Sequence, residues 1–199
     1  METSPKLRVK VIVGSTREGR FSEKPAKWIA DFAQKQSGLE VEAMDLRDFP
    51  MPFYDSAKTA SQMGGVYPHE SVAAFAKKIG EGDAFIFVSP EYNHGIPAVL
   101  KNALDWVYAE WNQKPMGVVS WGGVGGARSV EHLRLVSIEL QMMPIRNALH
   151  MPFDIVMAAN QAEDPSTVFA KLEHPHAENF ISQLVWWARI LKRAREEKK

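Results

Sequence analysis

The amino-acid sequence predicts an α/β fold in which a five-stranded parallel sheet carries helices on both faces. Two observations indicate it. Short apolar runs alternate with longer stretches of helical period, and several of these runs are continuously apolar, as strands covered on both faces are. Right-handed crossovers between parallel strands place helices on both faces. The 199 residues suit one domain, so we expect a single domain with frayed tails at 1–6 and 193–199.

Each predicted strand is a run of apolar and β-branched residues. The first becomes fully apolar just before Gly14, and the third is the most apolar. The second alternates apolar and polar residues, which favours a place nearer an edge of the sheet. The fifth is weak. The predicted strands are 7–14, 39–44, 83–89, 116–120 and 144–149.

The predicted helices show apolar residues at helical spacing. Ser22 is placed to cap the first helix, Gly38 ends it, and Pro97 opens the third. The predicted helices are 22–37, 69–79, 95–111, 127–141 and 176–192. The segment 46–68 holds prolines and glycines without a period, which is typical of a functional lid or an interface element. An irregular stretch is expected from the fifth strand to residue 173.

Composition excludes several kinds of function. Lys plus Arg equals Asp plus Glu at 24 each, so no net charge attracts nucleic acid or an anionic membrane. The chain has no cysteine, which excludes thiolate chemistry and cysteine-bound metals. No set of residues with metal-ligand spacing accompanies the histidines, so no metal is expected. The first residues lack an apolar signal region and no stretch is long enough to span a bilayer, so we expect a cytoplasmic protein.

Ligands of such sheets bind beyond the carboxyl ends of the strands, where the winding reverses. The loop after the first strand, 14–22, offers hydroxyls, two arginines and the N–H groups of a helix start, a combination that satisfies a phosphate. Gly14 and Gly19 are followed by Arg20 and Phe21, which excludes a P-loop, and no GxGxxG motif is present. The alternative is a polar turn with solvated arginines.

The loops after the third and fourth strands suit a flat heterocycle. In the loop 89–95, Pro90 stiffens the chain, Tyr92 can lie along a ring, and Asn93 offers a donor and an acceptor. The loop 120–126 has four glycines, which let the backbone approach a ligand closely. The alternatives are a tight connector with Tyr92 in the core and a flexible turn.

Three motifs from these loops carry a resemblance to a known family. They are Gly14-Ser15-x-Arg17, then Pro90-Glu91-Tyr92-Asn93-His94-Gly95-x-Pro97-x-x-Leu100-Lys101-Asn102-x-x-Asp105-Trp106, then Ser120-x-Gly122-x-x-Gly125-Gly126. Together they resemble the NAD(P)H-dependent FMN reductase family of flavodoxin-like proteins, which includes quinone, azo-dye and chromate reductases. The resemblance covers 7–149 and implies a three-layer sandwich with strand order 2-1-3-4-5.

The resemblance also implies a set of cofactor-binding residues. The phosphate of FMN would be held by Ser15, Arg17 and Ser22, and its pyrimidine side would meet Ser120, Gly122 and Gly123. The isoalloxazine would be lined by Pro90, Glu91, Tyr92 and Asn93. The set further includes Phe21, Trp121 and Arg20. Many relatives have serine and asparagine where this chain has Arg20 and Ser22, so Arg20 either shares the phosphate or faces solvent.

The resemblance implies an oxidoreductase that transfers hydride from NAD(P)H through bound FMN to a small acceptor, such as a quinone, azo compound, metal oxyanion or free flavin. The expected cycle is ping-pong, and backbone N–H groups of 120–126 would meet charge on the reduced flavin. No catalytic side chain is expected, and His94 is more simply structural than a proton donor. The long loop and the tryptophan-bearing helix at 97–111 predict a homodimer or homotetramer.

Two other functions remain to be compared. One is an FMN-bearing electron carrier, or a flavin-dependent interaction protein, without NAD(P)H activity of its own. The other is a hydrolase with Ser120 as nucleophile and His150 as base, which the sequence disfavours because Val118 stands where the GxSxG motif requires glycine.

Overall fold

The computed structural model describes residues 6–197, and its centre is a six-stranded parallel sheet. Strands β1 to β6 are Leu7–Val13, Leu39–Asp45, Ala84–Pro90, Pro115–Trp121, Met143–Pro144 and Leu149–Met151. The order in space is β2-β1-β3-β4-β5, and β6 also pairs with β4. The predicted sheet order is therefore confirmed, with β2 at an edge as its alternating pattern indicated.

The weak fifth strand is two short strands, because the chain between them leaves the ladder. Ile145 still donates its backbone N–H to the carbonyl of Met116 at 2.9 Å. Two residues later, the backbone N–H of Asn147 donates instead to Oε1 of Gln183 on the last helix, at 2.9 Å. This long-range bond replaces a strand–strand bond and splits the strand.

Seven helices of the described residues connect and cover these strands. Helices α1 to α7 are Glu23–Gln34, Glu70–Glu81, Ala98–Trp106, Ala127–Glu139, Phe153–Gln161, Ser166–Phe169 and Glu178–Glu196. Short 3₁₀ turns lie at Leu46–Asp48, Ala60–Met63, Ala109–Trp111 and Ala170–Leu172. A wider, kinked turn at Glu173–Ala177 leads into α7.

Two predicted helical features are wrong in detail. Ser22 stands at the N-cap of α1 in the helical region of φ and ψ, and its side chain makes no capping bond. Helix α3 ends at Trp106 because the amide of Asn112 donates to the carbonyls of Tyr108 and Leu140 and holds a turn. Trp111 is nevertheless fully buried, which explains why the apolar period continued to it.

The stretch before residue 173 is helical where an irregular chain was expected. Only Ala159 of α5 and Phe169 of α6 are buried, so these helices leave too few buried positions to produce a visible period. Helix α7 continues four residues past the predicted end, and Arg195 in its last turn donates to the carbonyl of Gln113 at 2.6 Å. The predicted frayed tail is thus helical to Glu196, and 1–5 and 198–199 lie outside the described residues.

Two apolar layers enclose the sheet. Strands β3 and β4 are buried at every position, which explains their continuous apolar sequence. Helices α1 and α7 pack on one face, and α2, α3 and α4 pack on the other. This covering leaves the strand ends as the accessible edges of the sheet. The carboxyl ends of β1, β3 and β4 are neighbours there, so their three following loops meet.

The long segment after β2 lies against α3. The side-chain amide of Asn102 and the indole of Trp106 both donate to the carbonyl of Pro52 at 2.8 Å, and the backbone N–H of Tyr54 donates to Asn102. The neighbouring Phe53 is 81% exposed. The segment is therefore a fastened loop that presents an aromatic side chain, and its predicted role as a lid or interface remains a prediction.

Candidate functional site

Hydrogen bonds join the three loops that the sequence singled out. The hydroxyl oxygens of Ser15 and Tyr92 lie 2.9 Å apart, which links the loop after β1 to the loop after β3. The backbone N–H of Glu91 donates to the carbonyl of Trp121 at 2.8 Å, which links the second loop to the third. The rings of Phe21 and Trp121 meet edge to face at 5.3 Å. The structure thus brings residues of all three motifs to one edge of the sheet.

Three backbone carbonyl groups of the first loop accept hydrogen bonds from arginine side chains. Arg47, on the 3₁₀ turn after β2, donates to the carbonyls of Thr16 and Arg17 at 3.3 and 2.7 Å. Arg20 donates to the carbonyl of Ser15. Within the described chain, the backbone N–H groups of Thr16, Glu18 and Gly19 have no acceptor. Donors without acceptors are what an anion requires, so this loop is suited to a phosphate.

Arg17 is the arginine available to such an anion. Its side chain is exposed, and its guanidinium carbon lies 5.7 Å from the centroid of the Tyr92 ring. Among residues 6–197 its guanidinium makes no hydrogen bond or ion pair. The charge of Arg17 therefore remains free at the junction of the first and second loops.

Arg20 does not face solvent, so that prediction for it is wrong, and its share in holding a phosphate remains a prediction. Only 7% of the residue is exposed, and its guanidinium forms a two-point ion pair with Asp45 and a further pair with Glu23. Burial alone would raise the pKa of Asp45, but the hydrogen bonds from Arg20 and from the Arg47 backbone lower it below its ordinary value. Arg20 fastens the loop to β2 instead.

Ser22 has a hydroxyl that the protein itself leaves unsatisfied. The residue is fully buried at the start of α1, and its Oγ has no hydrogen-bond partner within residues 6–197. A buried hydroxyl without a partner costs about 1–3 kcal/mol, so such a group calls for a ligand or a functional reason. Its place beside the donor-rich loop fits a phosphate oxygen.

The second loop is a tight turn with two exposed side chains. Tyr92 and Gly95 exchange both backbone hydrogen bonds at 2.9 and 3.0 Å, and the residues between them, Asn93 and His94, have φ of 49° and 66°. Positive φ at both central residues matches the turns that close two-residue hairpins. Asn93 and His94 thus project rigidly from the edge of the sheet.

Glu91 is predicted to line the cofactor, but its carboxylate has another task. One oxygen accepts from the backbone N–H of Arg128 at 3.0 Å and the other from the Arg128 guanidinium at 2.8 Å. Burial alone would raise the pKa of Glu91, but these bonds lower it. With its side chain 5% exposed, Glu91 caps the start of α4 and anchors the second loop to the third.

The third loop is shaped by contacts that admit only glycine. A Cβ on Gly126, where φ is 74°, would lie 2.0 Å from Oγ of Ser120. Ser120 is fully buried, and its hydroxyl donates to the carbonyl of Ser89 at 2.7 Å. The Ser120 hydroxyl is therefore bonded within the protein, and the predicted approach of Ser120 to the pyrimidine side of a flavin remains a prediction. Gly123 is open, since a Cβ there would meet nothing within 4 Å.

The geometry of Ser120 and His150 does not support the hydrolase alternative. His150 places its Nδ1 3.1 Å from the carbonyl of Gly125, and the Ser120 hydroxyl is committed to the carbonyls of Ser89 and Gly126. No hydrogen bond joins these two side chains in the described part of the chain, so they do not form a nucleophile and base pair.

Phe21 and Trp121 form an apolar base beneath the loops. Each is 8% exposed, and Phe169 of α6 packs edge to face on Phe21 with the ring centroids 6.2 Å apart. Pro90 is also buried at the end of β3. These residues support the loops, and their direct contact with a cofactor remains a prediction, as it does for Gly122 and Gly123.

Two other kinds of feature are absent from residues 6–197. No three side chains of His, Asp or Glu come together as a possible metal site there. In the same residues, no helix has both the length and the apolar character that crossing a membrane demands. The edge formed by the three loops is therefore the main candidate.

Sequence reasoning missed Asp45, Arg47 and Arg128. All three act across the sheet or between loops, so no local spacing marks them. A signal was present for Asp45, which lies opposite Val13 in the β1–β2 register and so at the base of the first loop. No comparable signal identifies Arg47 or Arg128.

Comparisons with known proteins find relatives of this chain by sequence and by fold. Residues 7–155 match the family model described as NADPH-dependent FMN reductase. An NAD(P)H-dependent FMN reductase of Schizosaccharomyces pombe is 35% identical over 173 residues, covering 86% of this chain and 84% of the relative. An NAD(P)H:quinone oxidoreductase of Solanum tuberosum is 37% identical over 147 residues, covering 71% and 73%. A flavoenzyme NAD(P)H:(acceptor) oxidoreductase of Paracoccus denitrificans shares the fold with a TM-score of 0.68 at 24% identity, covering 89% and 97%.

Proposed function

The chain belongs to the NADPH-dependent FMN reductase family, and from this membership we propose that it binds FMN at the three loops and transfers hydride from NAD(P)H to a small acceptor. Quinones, azo compounds, metal oxyanions and free flavin are the acceptor classes. The protein acts in the cytoplasm on small molecules, without a nucleic-acid or membrane partner. FMN, when bound, supplies the hydride chemistry, so the chain's residues need to bind and orient it.

One observation carries the proposal. In the first loop the carbonyl groups are bonded to Arg47 and Arg20, while the N–H groups of Thr16, Glu18 and Gly19 point to no acceptor of the described chain. Such a loop offers hydrogen-bond donors to an anion, while its bonded carbonyl oxygens do not compete for those donors. Together with Arg17 and the unsatisfied hydroxyl of Ser22, it fits the phosphate of FMN.

The other two loops suit the ring system. Tyr92 and Asn93 stand on the rigid turn after β3, and Asn93 offers both a donor and an acceptor to a heterocycle. The backbone N–H groups of Gly123 and Val124 have no acceptor within residues 6–197. Fixed N–H donors of this kind stabilise negative charge that builds on a neighbouring ring. No side chain acts as a catalytic acid or base.

A homodimer or homotetramer is part of the proposal. The fastened loop after β2 exposes Phe53 by 81% and Val66 by 78%. Helix α4 exposes Leu135 by 69% and Ile138 by 63%. Exposed apolar side chains held on ordered structure support an interface between copies of this chain.

An FMN-bearing electron carrier without NAD(P)H activity is the competing function. The test is NAD(P)H consumption by the FMN-loaded protein with and without a small quinone. The reductase proposal expects rapid, quinone-dependent consumption and, with oxygen excluded, bleaching of the yellow colour by NAD(P)H alone. A carrier would keep its colour under NAD(P)H and would consume almost none until a partner reductase was added.

A further inference from the structure

A cavity lies at the opposite edge of the sheet from the three loops. It has a volume of about 330 Å³ and lies where β1, β3 and β4 begin. Its charged lining comes from four elements: the first strand, the turns before β3 and β4, and the last helix. The charged residues are Arg8, Asp83, Glu110, Lys114, Lys192, Arg195 and Glu196. Nothing in the flavin-binding proposal uses this cavity.

Lys114 is a buried cation with incomplete hydrogen bonding. The residue is 6% exposed, and its Nζ donates to the carbonyls of Ile79 and Gly80 at 2.9 and 3.1 Å. A charged lysine has three N–H bonds, and among residues 6–197 no third acceptor and no ion-pair partner is present. The ammonium also lies 5.5 Å from the centroid of the Phe85 ring, and an oxygen bound in the cavity that Lys114 lines could accept its third N–H.

Two of the three carboxylates of the lining, Asp83 and Glu110, already accept hydrogen bonds. Asp83 accepts from Lys192 at 2.8 Å, from Arg195 at 3.3 Å and from the Arg8 backbone at 3.0 Å. Glu110 accepts from the hydroxyl of Tyr67 at 2.6 Å. Four cationic side chains thus face three carboxylates.

The cations are less well satisfied. Neither Arg8 nor Lys114 has an ion-pair partner within the described residues. With Lys114 protonated, the cavity therefore carries an excess of positive charge, and the unpaired charges lie on β1 and just before β4.

We propose that this cavity binds a small divalent oxyanion, the phosphate group of a metabolite or inorganic phosphate, between Lys114, Arg8 and Arg195. The anion would accept the third N–H of Lys114 and neutralise the unpaired charges. It would also connect the start of β1, the start of β4 and the last turn of α7, so it stabilises the attachment of the C-terminal helix. It lies at the opposite ends of β1, β3 and β4 from the flavin loops.

Binding at this site is linked to a proton. Burial, together with the charges of Arg195 and Arg8, lowers the pKa of Lys114 to about 7, although Asp83 and Glu110 act in the opposite direction. Lys192 and Glu196 are the other charged groups that line the cavity. An anion favours the protonated lysine, so above neutral pH the protein must take up a proton when the anion binds.

Calorimetric titration with sulfate tests the proposal, because the charge of sulfate does not change near neutral pH. The protein is first saturated with FMN, so that the loop after β1 is occupied. Titrations in two buffers of different ionisation enthalpy give the number of protons exchanged. At about pH 8 most of a proton is taken up per sulfate bound, and at about pH 6 almost none is. A phosphomonoester and inorganic phosphate are then titrated separately in place of sulfate. Tighter binding of the phosphomonoester identifies a metabolite as the ligand.

Variants locate the site. Arg8→Gln removes an exposed charge and weakens sulfate binding about tenfold or more, and Lys114→Met abolishes the proton uptake. Lys77→Met, an exposed lysine of α2 outside the cavity, is the matched control and changes neither. The proposal is overturned if the parent protein does not bind sulfate, or if Arg8→Gln and Lys114→Met both bind sulfate as tightly as the parent protein does. Neither outcome bears on the flavin site, which is measured separately by FMN binding.

Discussion

The hydroxyl oxygens of Ser15 and Tyr92 lie 2.9 Å apart and join two loops that are separated by 77 positions in the chain. The Ser15 residue is 1% exposed, so this bond is shielded from water at the edge of the sheet. It places the Tyr92 ring beside the donor-rich first loop. The same ring lies 5.7 Å from the Arg17 guanidinium carbon, so one aromatic residue connects the proposed phosphate and ring positions.

The Ser15–Tyr92 pair should be energetically coupled. We expect Ser15→Ala and Tyr92→Phe each to lower the free energy of unfolding by about 0.5–1.5 kcal/mol. The double variant should lose less than the sum, because either change alone already removes the bond. Urea unfolding of the four proteins measures this. Strict additivity would show that the two hydroxyls do not interact.

Arg17 should contribute to FMN binding and not to the fold. Its guanidinium makes no bond within residues 6–197, so Arg17→Ala should leave the unfolding free energy nearly unchanged. FMN binding should weaken by roughly 1.5–3 kcal/mol, the usual value of a hydrogen bond to a charged group. Quenching of FMN fluorescence gives the affinity, and Arg189→Ala, an exposed arginine of α7, is the control. Equal affinity in both variants would remove Arg17 from the site.

Arg20 should behave in the opposite way. Arg20→Ala leaves Asp45 without its partner, and we expect a loss of about 1–3 kcal/mol in unfolding free energy. The pKa of Asp45 is lowered in the folded protein, so this stabilisation is present above the ordinary carboxyl pKa and is lost as the pH falls below about 4. Unfolding curves of the variant and the parent should therefore converge at acid pH. A constant difference across pH would exclude Asp45 as the partner.

Two glycines of the third loop should respond differently to the same change. In Gly126→Ala the new Cβ would lie 2.0 Å from Oγ of Ser120, at a φ of 74°. We expect severe destabilisation and loss of FMN binding, since neither the backbone nor the buried serine can move away cheaply. In Gly123→Ala the Cβ meets nothing within 4 Å, so the fold should survive. Thermal melts of the two variants make the comparison, and equal melting temperatures would contradict it.

Lys114 should make stability depend on pH in the alkaline range. Its folded pKa is lowered to about 7, while an unfolded lysine titrates near about 10.4. Between these values the unfolded chain binds the extra proton, so the free energy of unfolding should rise with pH across that window. Lys114→Met should flatten the rise. Parallel curves for the variant and the parent from neutral to alkaline pH would show that Lys114 titrates normally.

The sequence allowed the strands and the three loops to be predicted because their signals are local. Continuous apolar runs that end at Gly14, or just before Pro90 and Gly122, mark buried strands followed by turns. The roles of Arg17 and Arg20 could not be separated in this way. They are chemically identical and three positions apart, and what distinguishes them is Asp45, which reaches Arg20 only because β2 pairs with β1.

The same limit applies to other features that appear only in the folded chain. Glu91 and Ser120 lie in motif positions, yet their side chains bond to Arg128 and to the carbonyl of Ser89, contacts that exist only after the loops have packed. The helices α5 and α6 were missed because one buried residue in each supplies no period. Local pattern therefore locates the site, and tertiary pairing decides which side chains remain free in it.

Titration of the purified protein with FMN tests the central claim most directly. The account predicts quenching of flavin fluorescence that saturates at equimolar FMN, a yellow protein after removal of free flavin, and weaker quenching in Arg17→Ala. A colourless protein whose addition leaves the fluorescence of FMN unchanged would contradict it.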